Sequence, residues 1–210
     1  GGIVSADFDG DGVADLAELH SNTAALVRTA TSSTTLVVGP RARGIAAADT
    51  DGDGDADLVV LAAGVQVWTN QSGAFTSGPV HAVPPSASAF LATDLDGNGR
   101  ADFAATCLDV DALALHLGSS TADYAAPTLV ATPAVARIDG ADLDGDGDED
   151  LLVEHSGALV DEVLRNDGQG VFTPVAVLTG AGPYRVLDVD GDGRLDVLER
   201  GIGALVLARG

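Results

Sequence analysis

Nine-residue segments of the form Asp-x-Asp-Gly-(Asp/Asn)-Gly-x-x-Asp begin at Asp7, Asp49, Asp94, Asp142 and Asp188. This spacing suits the chelation of a hard cation. Calcium takes about six to eight oxygen ligands at ~2.3–2.6 Å. In the first copy, Asp7, Asp9 and Asp11 stand at alternate positions, so a tightly curled loop turns all three carboxylates inward. Gly10 and Gly12 permit a curl that a Cβ would obstruct. The carbonyl of Val13 is expected to add an oxygen and Asp15 to close the shell as a bidentate ligand. The same roles fall to Asp49, Asp51, Asp53 and Asp57, to Asp94, Asp96, Asn98 and Asp102, to Asp142, Asp144, Asp146 and Asp150, and to Asp188, Asp190, Asp192 and Asp196. Asp55, Arg100, Asp148 and Arg194 stand where Val13 does and are the corresponding carbonyl donors.

The electrostatics follow from this assignment. The chain has 32 acidic residues against 10 arginines and no lysine, for a formal charge of −22, and 19 of the acids are expected ligands. Repulsion among four carboxylates in one short loop predicts that about five Ca²⁺ ions, one per repeat, couple binding to folding or rigidity. The third loop carries neutral Asn98 and is expected to be the weakest site. An EF-hand begins in the same way but closes with Glu at the twelfth position. Glu18 and Glu199 satisfy that, whereas Val60, Ala105 and Val153 do not, and the flanks read as strands rather than helices.

The elements that must position these loops repeat with them. The loop starts are 42, 45, 48 and 46 residues apart, close to the ~40–45 of a four-stranded propeller blade. A short apolar run precedes most loops, as in Gly44–Ala48, and another follows each, as in Leu58–Leu61. Third strands follow a turn, as at Val65–Trp68, and fourth strands are expected at Thr35–Val38, Val80–Val83, Thr128–Val130 and Val175–Leu178. The pattern predicts an all-β, single-domain β-propeller over 1–210, with five closed blades of about four antiparallel strands in repeats 2–43, 44–88, 89–135, 136–183 and 184–210. The last repeat is incomplete, either because that blade lacks its outer strand or because the sequence is cut from something longer.

With these loops and with the segments Trp68–Phe75 and Leu164–Phe172, which form Asn…Gly…Phe hairpins, the repeat resembles the FG-GAP/VCBS family. Gly118 to Tyr124 holds only a trace of that hairpin. The family's propeller blades carry this calcium loop and include the integrin α-subunit propeller and some fungal lectins. The resemblance implies fold and metal and says little about the partner.

Composition narrows the remaining functions. The acidity argues against nucleic acid and against anionic membrane surfaces. Cys107, the single cysteine, excludes an intrachain disulfide and reads as a small buried hydrophobe. No nucleophile elbow, zinc-type histidine cluster or phosphate loop is present, and acids repeated in five equivalent places suit a structural metal better than a catalytic pair, so no enzyme is expected. His20 and His155 occupy equivalent places as strand-end residues or ligand contacts, and Trp68 is either a sugar platform or inter-blade packing. Arg41 and Arg43 read as a solvated loop. The expected function is a non-enzymatic, calcium-dependent recognition or adhesion module for a glycan or extracellular protein, secreted or on a bacterial cell surface with its targeting sequence outside this chain. The alternative is a structural or accessory propeller of a larger surface protein or polysaccharide-active enzyme.

Overall fold

The computed structural model describes residues 2–119, 123–157, 161–178, 184–191, 195–201 and 204–208. They are all-β, in five antiparallel sheets that follow one another along the chain. The first holds β1 (Ile3–Ala6), β2 (Asp15–Ser21), β3 (Ala24–Arg28) and β4 (Ser33–Val37). The second holds β5 (Gly44–Ala48), β6 (Asp57–Leu61), β7 (Val65–Gln71) and β8 (Ala74–His81). The third holds β9 (Phe90–Thr93), β10 (Asp102–Cys107), β11 (Ala112–His116) and β12 (Thr128–Ala131). The fourth holds β13 (Val135–Ala141), β14 (Asp150–His155), β15 (Asp161–Asn166) and β16 (Phe172–Leu178). The fifth has β17 (Arg185–Leu187), β18 (Asp196–Gly201) and β19 (Ala204–Ala208). This is a five-bladed β-propeller whose last blade shows three strands among the described residues, as the repeat pattern predicts. The fourth strands β8 and β16 begin earlier than expected because the Asn…Gly…Phe hairpin turns tightly and pairing resumes at once, with Asn70 opposite Phe75 and Asn166 opposite Phe172.

Among the described residues, each of the four seams between successive blades has its own apolar core, and the second strands of the three middle blades, β6, β10 and β14, each serve two of them. Leu58 and Val60 of β6 pack with Phe8, Ala17 and Val27 of the first blade. Val59 and Leu61, on the other face, pack with Phe103 and Ala105 of the third. In β14, Leu151 and Val153 meet Leu113 and Leu115, while Leu152 meets Tyr184 and Val197 of the fifth blade. A strand turns successive side chains to opposite faces, so one buried on both faces reads as an unbroken apolar run. Small residues let the sheets approach: a Cβ on Gly44 would stand 2.5 Å from a ring carbon of Phe90. Trp68 is half-buried against the seam of the first and second blades, which places it in packing. Arg43 departs from the solvated loop expected of it. Half-buried, it donates from Nε to the Ala87 carbonyl at 2.6 Å and from Nη1 to that of Ala62.

Candidate metal centre

Every aspartate loop joins the first strand of its blade to the second, so the acids of all five sit at equivalent places in the fold. The loop is wound by its own first residue. Oxygens of Asp7 accept the N–H groups of Gly10 at 2.8 Å, Asp11 at 3.2 Å and Gly12 at 2.8 Å. Asp94 accepts from Gly97, Asn98 and Gly99, Asp142 from Gly145 and Gly147, and Asp49 from Gly52 and Gly54. In the fifth loop Asp188 accepts from Gly191 at 2.6 Å. The winding needs left-handed backbone: Gly147 has φ +96°, which costs a residue with a Cβ about 1–2 kcal/mol. At the fifth position Asp11, Asp53, Asn98 and Asp146 each accept an N–H from two residues on, which fixes that side chain over the loop.

The curl gathers carboxylates. In each of five groups, one oxygen from each residue lies within 4.8 Å of the others: Asp7, Asp9 and Asp15; Asp49, Asp51 and Asp53; Asp94, Asp96 and Asp102; Asp142, Asp144 and Asp146; Asp188, Asp190 and Asp196. Asp11, Asp57 and Asp150 lie outside these closest groups of acids. Asp192 and Arg194 lie outside the described residues. The donor set is all oxygen, as a hard cation requires. One buried oxygen, Asp9 Oδ1, has no hydrogen-bond partner, which is costly for a carboxylate unless a cation meets it. Asp144 Oδ2, equivalent in its loop, is met by Arg165 in an ion pair of 2.5 Å. The residues therefore fit a calcium ion.

The closing aspartate does more than its spacing suggests. Asp15, Asp57, Asp102, Asp150 and Asp196 are all buried. In each, Oδ2 accepts the N–H of the loop's second residue: Phe8, Thr50, Leu95, Leu143 and Val189. In three of them Oδ1 accepts an N–H from the end of the third strand: Asn70 for Asp57 at 2.6 Å, Gly118 for Asp102 at 2.5 Å, and Asn166 for Asp150 at 2.9 Å. These carboxylates brace the loop against its own blade, and a bidentate metal contact must share oxygens already in use. Burial pushes the Asp102 carboxyl up to about 6 against the lowering pull of the Gly118 and Leu95 N–H groups, with Asp96 and Asp94 raising it further. Burial also raises Asp57 and Asp150. Burial and then the neighbouring Asp53 raise Asp51, whereas the Asp148 N–H and Arg165 lower Asp146.

Residues with no place in the loop pattern complete the site. The Asn70 side chain donates to the Phe8 carbonyl in the neighbouring blade's loop at 2.8 Å and to the Ala56 carbonyl in its own at 3.0 Å. Asn166 repeats this with Leu95 at 2.8 Å and Glu149 at 3.1 Å. The third blade has no such Asn. There the Tyr124 hydroxyl donates to the Ala101 carbonyl at 2.9 Å, with the Thr50 side chain as its further polar neighbour. The hairpins named these asparagines as motif members, but their partners could not be read from spacing. His81 and His116, given no role by the sequence, flank Phe103 in an aromatic cluster with Tyr124. His155 Nδ1 lies 2.6 Å from the Pro133 carbonyl, and His20 is exposed. Beside the fourth loop an open cleft of ≈ 540 Å³ is lined by Asp146, Arg165, Asn166, Asp167, Thr173 and Val175.

Comparisons agree with this geometry. Residues 142–199, from the fourth loop through the fifth, match the FG-GAP-like repeat family. A comparison with curated protein sequences finds no match. Among solved structures, the fold is similar to that of an Agrocybe aegerita lectin that recognises non-reducing terminal N-acetylglucosamine, with TM-score 0.64 and 24% identity over 84% of this chain and 51% of the lectin. It is also similar to part of the Photorhabdus luminescens Tc holotoxin pore, with TM-score 0.56 and 20% identity over 93% of this chain and 10% of that one. The chain thus spans about half the length of the lectin and a small part of the toxin. It carries an FG-GAP-like repeat within a five-bladed β-propeller, and the matched segment, the loops and the fold together support its resemblance to the FG-GAP/VCBS repeat family.

Proposed function

We propose that the chain is a calcium-binding propeller, with about one Ca²⁺ per loop, that serves as a non-enzymatic recognition module for a glycan or protein outside the cell. The observation that carries the metal is the recurrence of an all-oxygen acid cluster at the same place in each of five blades. The first, third, fifth and ninth residues of each loop supply carboxylate or amide oxygens, and the seventh supplies its carbonyl. Asn98 leaves the third site with one charge fewer, and that site is the weakest of the set by ligand charge. When bound, the ion would offset the mutual repulsion of the acids and hold the turn between the first two strands.

Recognition is supported by the fold likeness to a lectin. The test is a glycan array run with the calcium-loaded chain, followed by the same array after chelation. Binding that requires calcium is the expected result, and no glycan or extracellular protein retained in calcium would sink the recognition reading. The alternative, a structural propeller of a larger secreted or surface protein, draws on how little of the toxin chain this fold occupies. It predicts a calcium-stabilised chain with no ligand of its own.

A further inference from the structure

Three successive seams carry a side chain from the blade's hairpin against the loops. At two of them it is an asparagine that grips backbone between the ligating positions of two successive loops, and at the third it is a tyrosine that grips backbone of its own blade's loop. Asn70 holds the carbonyl after the first acid of loop one, at Phe8, and the carbonyl before the last acid of loop two, at Ala56. Its own N–H is taken by that last acid, Asp57. Asn166 does the same between loops three and four through Leu95, Glu149 and Asp150. Between loops two and three the grip passes to a phenol: Tyr124 holds Ala101, Gly118 supplies the N–H to Asp102, and Thr50, the residue after the first acid of loop two, is the polar neighbour. A direct backbone bond, Ala101 N–H to the Asp49 carbonyl at 2.7 Å, reinforces that seam. Asn70, Asn166 and Tyr124 are all buried.

We infer that Asn70, Asn166 and Tyr124 are positioning residues that couple neighbouring loops, so that an ion bound in one loop raises the affinity of the next. The inference rests on the calcium reading of the loops. Its physical basis is shared order. An ion fixes the backbone on both sides of the gripped carbonyl, and the latch transmits that fixed position because releasing it would leave buried carbonyls unpaired. The next loop then has less freedom left to lose when its own ion arrives. The coupling is reciprocal at each seam and links loops one to four in succession, with a different side chain at the middle seam.

The test is a site-resolved calcium titration of the full chain, following the amide signals of loop glycines by NMR. Gly97 and Gly99 report loop three, and Gly145 and Gly147 report loop four. Removing the fourth site with Asp144→Ala is expected to weaken calcium binding at loop three by about fivefold or more. In an Asn166→Ala background the same change should leave loop three unaffected, the signature of coupling through that one amide. An equal effect of Asp144→Ala in both backgrounds, or no effect in either, overturns the inference, because a latch that only holds blades together lowers stability without altering this cycle. Tyr124→Phe provides a milder version at the middle seam, since it keeps the ring and removes only the hydroxyl. There, Asp51→Ala should weaken loop three less when the hydroxyl is absent, the backbone bond from Ala101 to Asp49 carrying what coupling is left. Signals that move with calcium but independently of one another would refute the coupling alone. Signals that do not move at all in the unaltered chain would remove the calcium reading, and the coupling with it.

Discussion

Arg165 lies across the fourth loop, its Nε 2.5 Å from Asp144 and its Nη2 3.1 Å from Asp146. It is the loop's own counter-cation. The pair is about half exposed, so solvent and salt screen it and a calcium ion can displace it. Arg165→Ala is expected to tighten calcium binding at the fourth loop by about two- to fivefold at low salt, with a smaller gain at high salt. The Gly145 and Gly147 signals measure it, and an unchanged titration would show that the guanidinium does not compete.

Chelation should destabilise the chain as a whole. One site held at about 100 times its Kd contributes ~2.7 kcal/mol, which at this chain length corresponds to a shift of about 5–10 °C in Tm. Several occupied loops should exceed that, and calcium should restore it. The pH dependence sharpens the expectation. In the metal-free chain the Asp102 carboxyl titrates near 6, above its ordinary 3.8, so its protonated form is favoured by folding. Its contribution to stability is greatest below 3.8 and is lost as the pH rises through about 6. The gain in Tm from calcium should therefore grow across that interval. A gain that is flat with pH, or absent, would contradict the role given to Asp102.

Acid should act at the seam of the second and third blades with the opposite sign. Burial lowers His116, with His81 nearby lowering it further, and burial lowers His81 against the attraction of Asp123. His116 Nε2 and His81 Nε2 are buried without a hydrogen-bond partner. The neutral rings are favoured by folding, so their contribution is full above the ordinary 6.5 and is lost as the pH falls below it. Thermal melts from pH 7.5 to 5 should show a steeper fall for the unaltered chain than for His116→Phe, which cannot charge. Parallel curves would refute this.

Phe103 joins that seam to the aromatic cluster and is fully buried. Phe103→Ala should cost about 3–5 kcal/mol. Urea unfolding would measure it, and a loss below about 1 kcal/mol would mean that the seam closes over the cavity.

The loops were legible in the sequence because their chemistry is local. The acid that winds each turn bonds to amides three to five residues on, so spacing alone exposes it. The blades were legible through the repeat. What could not be read lies across large separations: Asn70 meets Phe8 62 positions away, and Asn166 meets Leu95 71 away. Arg43 was misjudged for the same reason, since its carbonyl partners at Ala62 and Ala87 belong to the second blade's far turns. Tyr124 was noted only as a trace of a hairpin, because nothing in a phenol's place along the chain says that it stands in for an amide. The second role of the closing aspartates was hidden by their first, since an acid suited to hold an ion looks the same as one that accepts two backbone amides.

The bonds that cross the seams also bear on how such chains can be rearranged. Asn70 and Asn166 reach across their seams to backbone carbonyls, which any residue offers. At the middle seam the crossing bond runs from the Ala101 N–H to the Asp49 carbonyl, backbone to backbone. None of these three bonds depends on the side chain that follows the first loop acid, so a repeat moved to a new neighbour keeps them wherever the neighbour's loop is wound in the same way.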